Sequence, residues 1–274
     1  MAGRDYTKQK CVIFTVLVGI MLLAVIFAEQ IVPYDPYAQD LKNALQPPGG
    51  AHIFGTDRYG RDMLSRVIMG GQTTIFSSLF LVLIVMTVGT IIGIICGYKG
   101  GKLDTFLMRI SDVFLAFPGM VFAIAVAGVT GGGVINAVVA LACISWPKFA
   151  RIARSQVMTV KETPFISAAR LSGSGTWKII RKHMLPNIAG PILITGVLDI
   201  GTMIMEIAGL SFLGLGAVPP VAEWGSMMSN GRSMLQTSPW VILAPGFAIF
   251  VTVMLFNLLG DSIRDIMDPR RNKR

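Results

Sequence analysis

Long uncharged stretches divided by short charged ones form the main pattern of this chain. Residues 11–28, 73–98 and 239–260 contain no charged side chain. Each is near the length of about 20 residues that a helix needs to cross a bilayer. Residues 188–215 form another apolar stretch, which holds two acidic residues. A cleaved signal peptide also starts with basic residues, but its apolar core is usually shorter than the first stretch here. The pattern predicts a polytopic membrane protein.

The uncharged stretch 113–147 is harder to divide into helices. Glycines at 131–133 interrupt it, and it is short for two complete crossings. We expect a third and a fourth span whose ends extend into the flanking charged sequence, although a re-entrant hairpin would fit nearly the same residues. With these two spans, the predicted fold class is an all-α polytopic membrane protein with six transmembrane helices.

Composition and charge agree with that class. The chain is 53% hydrophobic and only 14% charged, which is too apolar for an ordinary soluble domain. The net charge of +9 comes from basic residues that flank the apolar stretches, so we interpret them as topology signals rather than as a nucleic-acid surface. The three cysteines lie in apolar stretches and are predicted to be free thiols. Most Lys and Arg residues fall in four segments, which predicts that these segments and both termini are cytoplasmic: 1–10, 99–109, 148–182 and 264–274.

The charged interruption 163–187 predicts two short helices joined by a turn. Thr163 and Pro164 suit the cap and the first position of the first helix, because a proline there leaves no amide unpaired. The Ser-Gly repeat at 172–175 predicts the turn, and Thr176 is predicted to cap a second, basic helix. Leu185 and Pro186 are expected to end that helix before the next apolar stretch begins.

The sequence of this hairpin has a family likeness. Two alanines are followed after three residues by Gly173, and then by HMLP at 183–186. The pattern resembles the loop through which the membrane subunits of bacterial ABC importers dock on the ATPase. That family usually has a glutamate before the alanines, where this chain has serine. A basic amphipathic linker on anionic lipid is the alternative. The resemblance implies coupling to the ATPase through Ser167, Ala168, Ala169, Gly173, Leu185 and Pro186.

Two further motifs extend the likeness over nearly the whole chain. GTDRYGRD at 55–62 and LSFLGLGAVPPVAEWGSMMSNGR at 210–232 resemble the C-type permease subunit of dipeptide, oligopeptide and nickel ABC importers. The resemblance implies a type I ABC importer permease fold in a non-catalytic membrane subunit. ARIARS, AARLSG and LDIG at 150–155, 168–173 and 198–201 are more similar to the nickel branch. We therefore expect transport of nickel, as ion or chelate, with a dipeptide or oligopeptide as the alternative.

The resemblance also implies the partners and the location. A second homologous permease would complete a heterodimer, two ATP-binding subunits would carry ATP and Mg²⁺, and an extracytoplasmic protein would deliver substrate. The location would be the bacterial cytoplasmic (inner) membrane. The chain itself has no nucleotide motif and no predicted cofactor. A secondary transporter is a different possibility, but paired broken helices in two matching halves are not evident.

The chain divides into three parts on this interpretation. Residues 1–72 comprise the cytoplasmic N-terminus, the first span and an extracytoplasmic loop. Residues 73–262 form a five-helix permease core that contains the coupling loop 163–187. Residues 263–274 form a basic cytoplasmic tail.

Acidic residues in the fifth span are the candidates for the translocation path. Asp199 and Glu206 are two helical turns apart and share a face with Met203. Ionisable groups within a span are costly, so they tend to face a cavity or another subunit. The alternative is a structural pair with a neighbouring helix.

Three other groups of residues receive weaker or structural predictions. Gly89, Gly93 and Gly97 lie four residues apart and are expected to let a neighbouring helix approach closely. The charges at 57–66 are expected to form local pairs rather than to bind substrate. His52 and His183 are too isolated to define a metal site, so none is predicted.

Overall fold

The computed structural model describes residues 2–267, with side chains from residue 7 onward. Apart from an isolated bridge between Thr56 and Asp62, regular structure in that part is helical. A π turn, Ile180–Met184, and two 3₁₀ turns, Leu41–Asn43 and Arg232–Met234, accompany the α-helices. These are α1 (Ala2–Ile26), α2 (Ala28–Ile31), α3 (Met63–Lys99), α4 (Gly101–Ala116), α5 (Gly119–Thr130), α6 (Val134–Lys161), α7 (Pro164–Leu171), α8 (Thr176–Ile179), α9 (Leu185–Phe212), α10 (Trp224–Gly231) and α11 (Trp240–Met267).

The predicted all-α membrane class is confirmed. Five helical segments in the described part are long and apolar enough to cross a membrane: Thr7–Ile26, Met63–Lys99, Val134–Lys161, Thr176–Phe212 and Trp240–Met267. The pair α4 and α5 makes a sixth if it counts as one span. The orientation of the termini stays a prediction, and most of the expected basic tail, residues 268–274, lies outside the described residues.

The third span is broken rather than continuous. Helices α4 and α5 meet at an angle of 89° around Phe117 and Pro118. Proline disfavours the helical conformation of the residue before it, and Phe117 is extended with ψ 142°. Because α5 has only 12 residues, it is about 18 Å long, too short to cross a bilayer alone. The glycines at 131–133 separate α5 from α6, where the sequence placed a break.

The second span begins ten residues earlier than its uncharged stretch. Residues 57–62 form no helix of their own. Residues before Met63 make a turn instead, and Asp62 caps α3 by accepting the backbone N–H of Ser65 at 2.7 Å. Local capping by a charged residue thus starts the helix within sequence that looked like a loop.

The long helices α3 and α6 form the most extensive helix–helix contact in the described part of the chain. A Cβ atom on Gly89 would lie 2.5 Å from the carbonyl oxygen of Trp146, and one on Gly93 would lie 2.3 Å from that of Ala150. At Gly97 the nearest atom of α6 would be 2.9 Å away. Only glycine allows this backbone approach, so the two helices make a rigid unit against which α9 packs.

Candidate functional site

Helix α7 forms the first half of the hairpin as the sequence predicted. Thr163 occupies the cap position and Pro164 the first turn. The Thr163 hydroxyl donates to the carbonyl of Val160 instead of accepting an N–H from the helix, so the expected side-chain cap is absent. The turn closes at Gly173, whose φ is +76°, and the next amide, Ser174 N–H, donates to the Ala169 carbonyl at 3.0 Å.

The second half of the hairpin corrects the prediction in two respects. Gly175, not Thr176, holds the cap position of α8. Leu185 and Pro186 do not end the helix, because α8 continues through the π turn into α9. The π turn ends at Met184, two residues before Pro186, whose missing amide would interrupt the α-helical pattern. The hairpin is therefore continuous with the fifth span.

The base of the hairpin is held against the end of α3. Ile166 and Ile179 are buried. The Tyr98 hydroxyl lies 3.3 Å from the Thr176 hydroxyl, and the Arg170 guanidinium lies 5.8 Å from the centre of the Tyr98 ring. A displacement of the hairpin would therefore act on both α3 and α9.

The tip of the hairpin exposes large apolar side chains. Leu171 is 90% exposed and Trp177 is 72% exposed, with Phe165 also open. Among the predicted coupling residues, Ala169 is half-buried, while the other five are exposed: Ser167, Ala168, Gly173, Leu185 and Pro186. Exposed apolar side chains of this size mark a contact surface.

Basic residues on α6 form a ladder of ion pairs with neighbouring helices. Lys148 pairs with Asp199 of α9, and Arg151 pairs with Asp112 of α4. One turn further, Arg154 is bidentate to Asp104 of α4 at 2.6 and 2.7 Å. From the sequence, the fourth span was expected to extend into this charged flank, and the structure places the three residues on α6. Their three-residue spacing was the available signal, since it places them on one side of a helix.

The structure separates the three candidate path residues. Asp199 and Glu206 lie two turns apart on α9, as expected. Asp199, however, is buried and pairs with Lys148, while its Oδ2 atom has no hydrogen-bond partner among the residues that the structure describes. Met203 is 3% exposed and packs in the core. Glu206 is partly exposed and, among the described residues, makes no hydrogen bond or ion pair, so it is the most accessible of the three.

The charges before α3 mostly pair locally. Arg61 lies 2.6 Å from Asp57, and Arg66 lies 3.7 Å from the same carboxylate oxygen. Asp62 pairs with His52 at 2.9 Å rather than with an arginine. His183 lies in the π turn, and no cluster of three or more potential metal ligands occurs in the part of the chain that is described.

Glu223 is a structural residue that the sequence did not single out. It is fully buried after the long loop that follows α9, and it caps α10. Its two oxygens accept the backbone N–H groups of Gly225 and Ser226 at 2.9 and 2.8 Å. Thr74 of α3 lies 3.3 Å from the same carboxylate, so this residue joins the loop to the core. Glutamate is an unusual cap, which is why the local pattern contains little signal for it.

Comparison with known structures gives the class of this fold. A chain of the MetNI methionine ABC transporter in an inward-facing conformation matches with a TM-score of 0.60. The match covers 75% of this chain and 98% of that one, at 18% sequence identity. Together with the apolar spans and the exposed hairpin, this likeness defines an ABC importer permease fold.

Sequence comparisons identify the family. Residues 89–273 match the model for the binding-protein-dependent transport system inner membrane component, and residues 11–48 match the N-terminal transmembrane domain of oligopeptide transport permease C. The chain is 41% identical over 255 residues to the probable D,D-dipeptide transport system permease protein DdpC of Escherichia coli (strain K12), covering 93% of this chain and 86% of that protein. It is 37% identical to the nickel transport system permease protein NikC of the same strain, in a match that covers 93% of this chain and 92% of that protein.

This chain therefore belongs to the binding-protein-dependent transport system inner membrane component family, as a C-type permease of the dipeptide, oligopeptide and nickel ABC importers. It is a non-catalytic, multi-pass subunit of the bacterial plasma membrane. Membership implies ATP-binding and substrate-binding partners. The predicted family, fold class and location are confirmed, whereas the choice of nickel is not.

Proposed function

We propose that this chain forms half of the path of an ATP-driven importer for a short peptide. A second homologous permease would supply the other half, and ATP with Mg²⁺ would be bound by two partner subunits. The relative with 41% identity is named as a D,D-dipeptide permease, which supports a peptide over nickel. The observation that carries the proposal is the Lys148–Asp199 pair at the centre of the α6–α9 contact.

The pair supports a substrate that carries both charges. The Lys148 side chain is 48% exposed, and Glu206 is partly exposed on the helix that bears Asp199. A peptide with free termini is a zwitterion, so it would meet a cation and a carboxylate in turn. A bare divalent metal ion would be attracted by the two carboxylates but repelled by the Lys148 ammonium group, so it would match the pair less well than a zwitterion does.

The hairpin is the proposed coupling element. Its exposed Leu171 and Trp177 would contact an ATP-binding subunit, and the continuity of α8, the π turn and α9 would carry that motion to Asp199 and Glu206. The contacts to Tyr98 would carry it to α3. No hinge is needed between the hairpin and the fifth span.

Nickel is the second candidate. Three motifs, at 150–155, 168–173 and 198–201, favour it, and a nickel permease is 37% identical over 254 residues. A chelated metal bearing compensating carboxylates would be less opposed by Lys148 than a bare ion.

Replacing Lys148 distinguishes the two substrates, because the expected effects have opposite signs. For a peptide, Lys148→Met in the complete assembly should lower ATP-dependent uptake several-fold, since the carboxylate of the substrate loses its partner. For bare nickel the same change should raise uptake. Vesicle uptake of a labelled dipeptide and of labelled nickel measures both.

Two controls separate this effect from misassembly. Arg151→Gln breaks another ion pair on the same helix, with Asp112, and should leave dipeptide uptake near wild type. Lys148→Arg keeps the charge and should restore most of the activity. Equal dipeptide uptake by wild-type and Lys148→Met assemblies that contain all subunits would refute the proposed role.

A further inference from the structure

A small cleft lies where the first turn of α3 and the segment before it meet α10 and α11. Its polar lining consists of Asp57, Arg58, Arg61, Arg66 and Asn230. Three methionines and one valine complete the wall. The cleft has a volume of about 20 Å³, which is room for roughly one water-sized group. Three guanidinium groups thus share a narrow space with one carboxylate.

Both oxygens of Asp57, the one carboxylate among the described lining residues, already accept hydrogen bonds. Asp57 Oδ2 accepts the Arg61 Nε–H at 2.7 Å, and the Arg61 terminal nitrogen lies 2.6 Å away. The other oxygen, Oδ1, accepts the backbone N–H groups of Tyr59 and Arg61 at 2.8 and 3.0 Å. Arg66 Nε is 3.7 Å from Oδ2, which is beyond hydrogen-bonding distance.

The positive charge of Arg66 has no second carboxylate nearby among the described lining residues of the cleft. It is 4% exposed, and its terminal nitrogen donates to the neutral carbonyl of Pro36 at 2.9 Å. The next carboxylate along the chain, Asp62, is committed to His52 and to the start of α3, where it accepts the N–H of Ser65. Among the described residues that line the cleft, positive charge exceeds negative charge by two.

The rim is arranged to receive an anion. Arg58 and Arg61 lie 4.7 Å from the centre of the Tyr59 ring, which holds both guanidinium groups in place. Arg58 is exposed and, within the described part of the chain, its one hydrogen bond goes to the neutral Asn230 Oδ1, at 3.4 Å. Arg66 shares its counter-charge, Asp57, with Arg61. A buried charge that is only partly compensated is costly, and the apolar wall strengthens its attraction for an anion.

We propose that this cleft binds one carboxylate group. Guanidinium groups match a carboxylate in geometry and supply several N–H donors at once. The volume admits only the head of the ligand. The carboxylate could come from a free small acid or from an acidic side chain on the extracytoplasmic binding protein, since the charge distribution predicts that this side faces outward.

Acetate is the probe for the test. The unfolding temperature of the complete assembly is measured as sodium acetate replaces sodium methanesulfonate at constant ionic strength, because the two anions carry the same charge and the tetrahedral sulfonate head is bulkier than a planar carboxylate. We expect a saturable rise with acetate. Arg58→Gln at the rim should raise the acetate concentration at half-effect several-fold, whereas Arg232→Gln, an exposed arginine outside the cleft, should not change it.

A second variant tests the buried charge. Arg66→Met removes the excess guanidinium and replaces it with an apolar chain of similar length, so it should abolish the acetate response without lowering the unfolding temperature in methanesulfonate. A wild-type assembly that does not respond to acetate, or an Arg58→Gln assembly that responds as wild type does, would overturn the site.

Binding of the extracytoplasmic binding protein, measured with and without acetate, distinguishes the two sources of the carboxylate. If acetate weakens the binding of the extracytoplasmic binding protein to wild-type assemblies but not to the Arg58→Gln assembly, an acidic side chain of that protein occupies the cleft. If docking is insensitive to acetate while the unfolding temperature still responds, the ligand is a free small acid.

Discussion

Gly173 shows how one residue sets the shape of the hairpin. Its φ of +76° lies in the left-handed region, and its surroundings are open, since a Cβ atom would meet no atom within 4 Å. The requirement at this position is therefore conformational rather than steric. A β-branched residue in this region costs about 1–3 kcal/mol of backbone strain.

Gly173→Val should reduce uptake per ATP hydrolysed, because the turn would relax to another shape and displace Leu171 and Trp177. Uptake and ATP hydrolysis by the complete assembly in vesicles measure the ratio. Gly175→Val is the matched control, because Gly175 has φ −67° and open surroundings that valine accommodates. Normal coupling in Gly173→Val assemblies would show that the turn conformation does not matter.

Lys148 shows why individual site residues were harder to predict than helices. The sequence placed it in the charged flank into which the fourth span was expected to extend, without indicating a partner. In the structure its partner Asp199 comes from a helix far away in the chain, and the two residues meet only after α6 and α9 pack. The residues near Lys148 in the sequence do not predict that contact.

The contact between α3 and α6 is the largest helix–helix contact in the described part of the chain. On one face of α3, glycines at four-residue spacing meet the backbone of α6, which was expected from their periodicity. The predictable part of this element is the close approach itself. The identity of the partner helix could not be derived, because several apolar helices would have served equally well.

A methyl group at the centre of this contact should be poorly tolerated. In Gly93→Ala the new Cβ atom would lie 2.3 Å from the Ala150 carbonyl oxygen and 2.7 Å from the Ala153 Cβ atom, so the helices must separate. We expect a loss of about 1–3 kcal/mol in the free energy of unfolding. Thermal unfolding of the purified assembly reports the change.

Gly128→Ala provides the control for helix propensity. Gly128 lies within α5, and a Cβ atom on it would meet no other atom within 4 Å. Alanine there should leave stability unchanged or raise it by up to about 1 kcal/mol. Equal effects of the two substitutions would contradict the close-packing account.

Element boundaries were predicted well where apolar stretches end in glycine and poorly where helices run on through charge or proline. The break at 131–133 falls where three glycines interrupt the sequence. By contrast, α9 is continuous with the hairpin through Pro186, and α3 extends back to Met63. A π turn before Pro186 lets the helix continue past that proline, and the Asp62 cap starts α3 within the charged segment.

At the scale of the molecule, the spans, the hairpin and the long motifs were sufficient to predict the family, and the comparisons confirm it. The substrate was not determined in the same way. The chain supplies only part of a path, so the charges that a substrate meets also depend on the second permease. Within this chain, the opposite charges of Lys148 and Glu206 are the features that favour a peptide.

The most direct test is ATP-dependent uptake by vesicles that contain the wild-type assembly and its binding protein. Labelled dipeptide and labelled nickel are supplied in parallel, with nickel given alone and with histidine as chelator. We predict dipeptide uptake that requires ATP hydrolysis and is unaffected by nickel. ATP-dependent nickel uptake with no transport of any peptide would contradict the proposed substrate, and uptake without ATP hydrolysis would contradict the coupling mechanism.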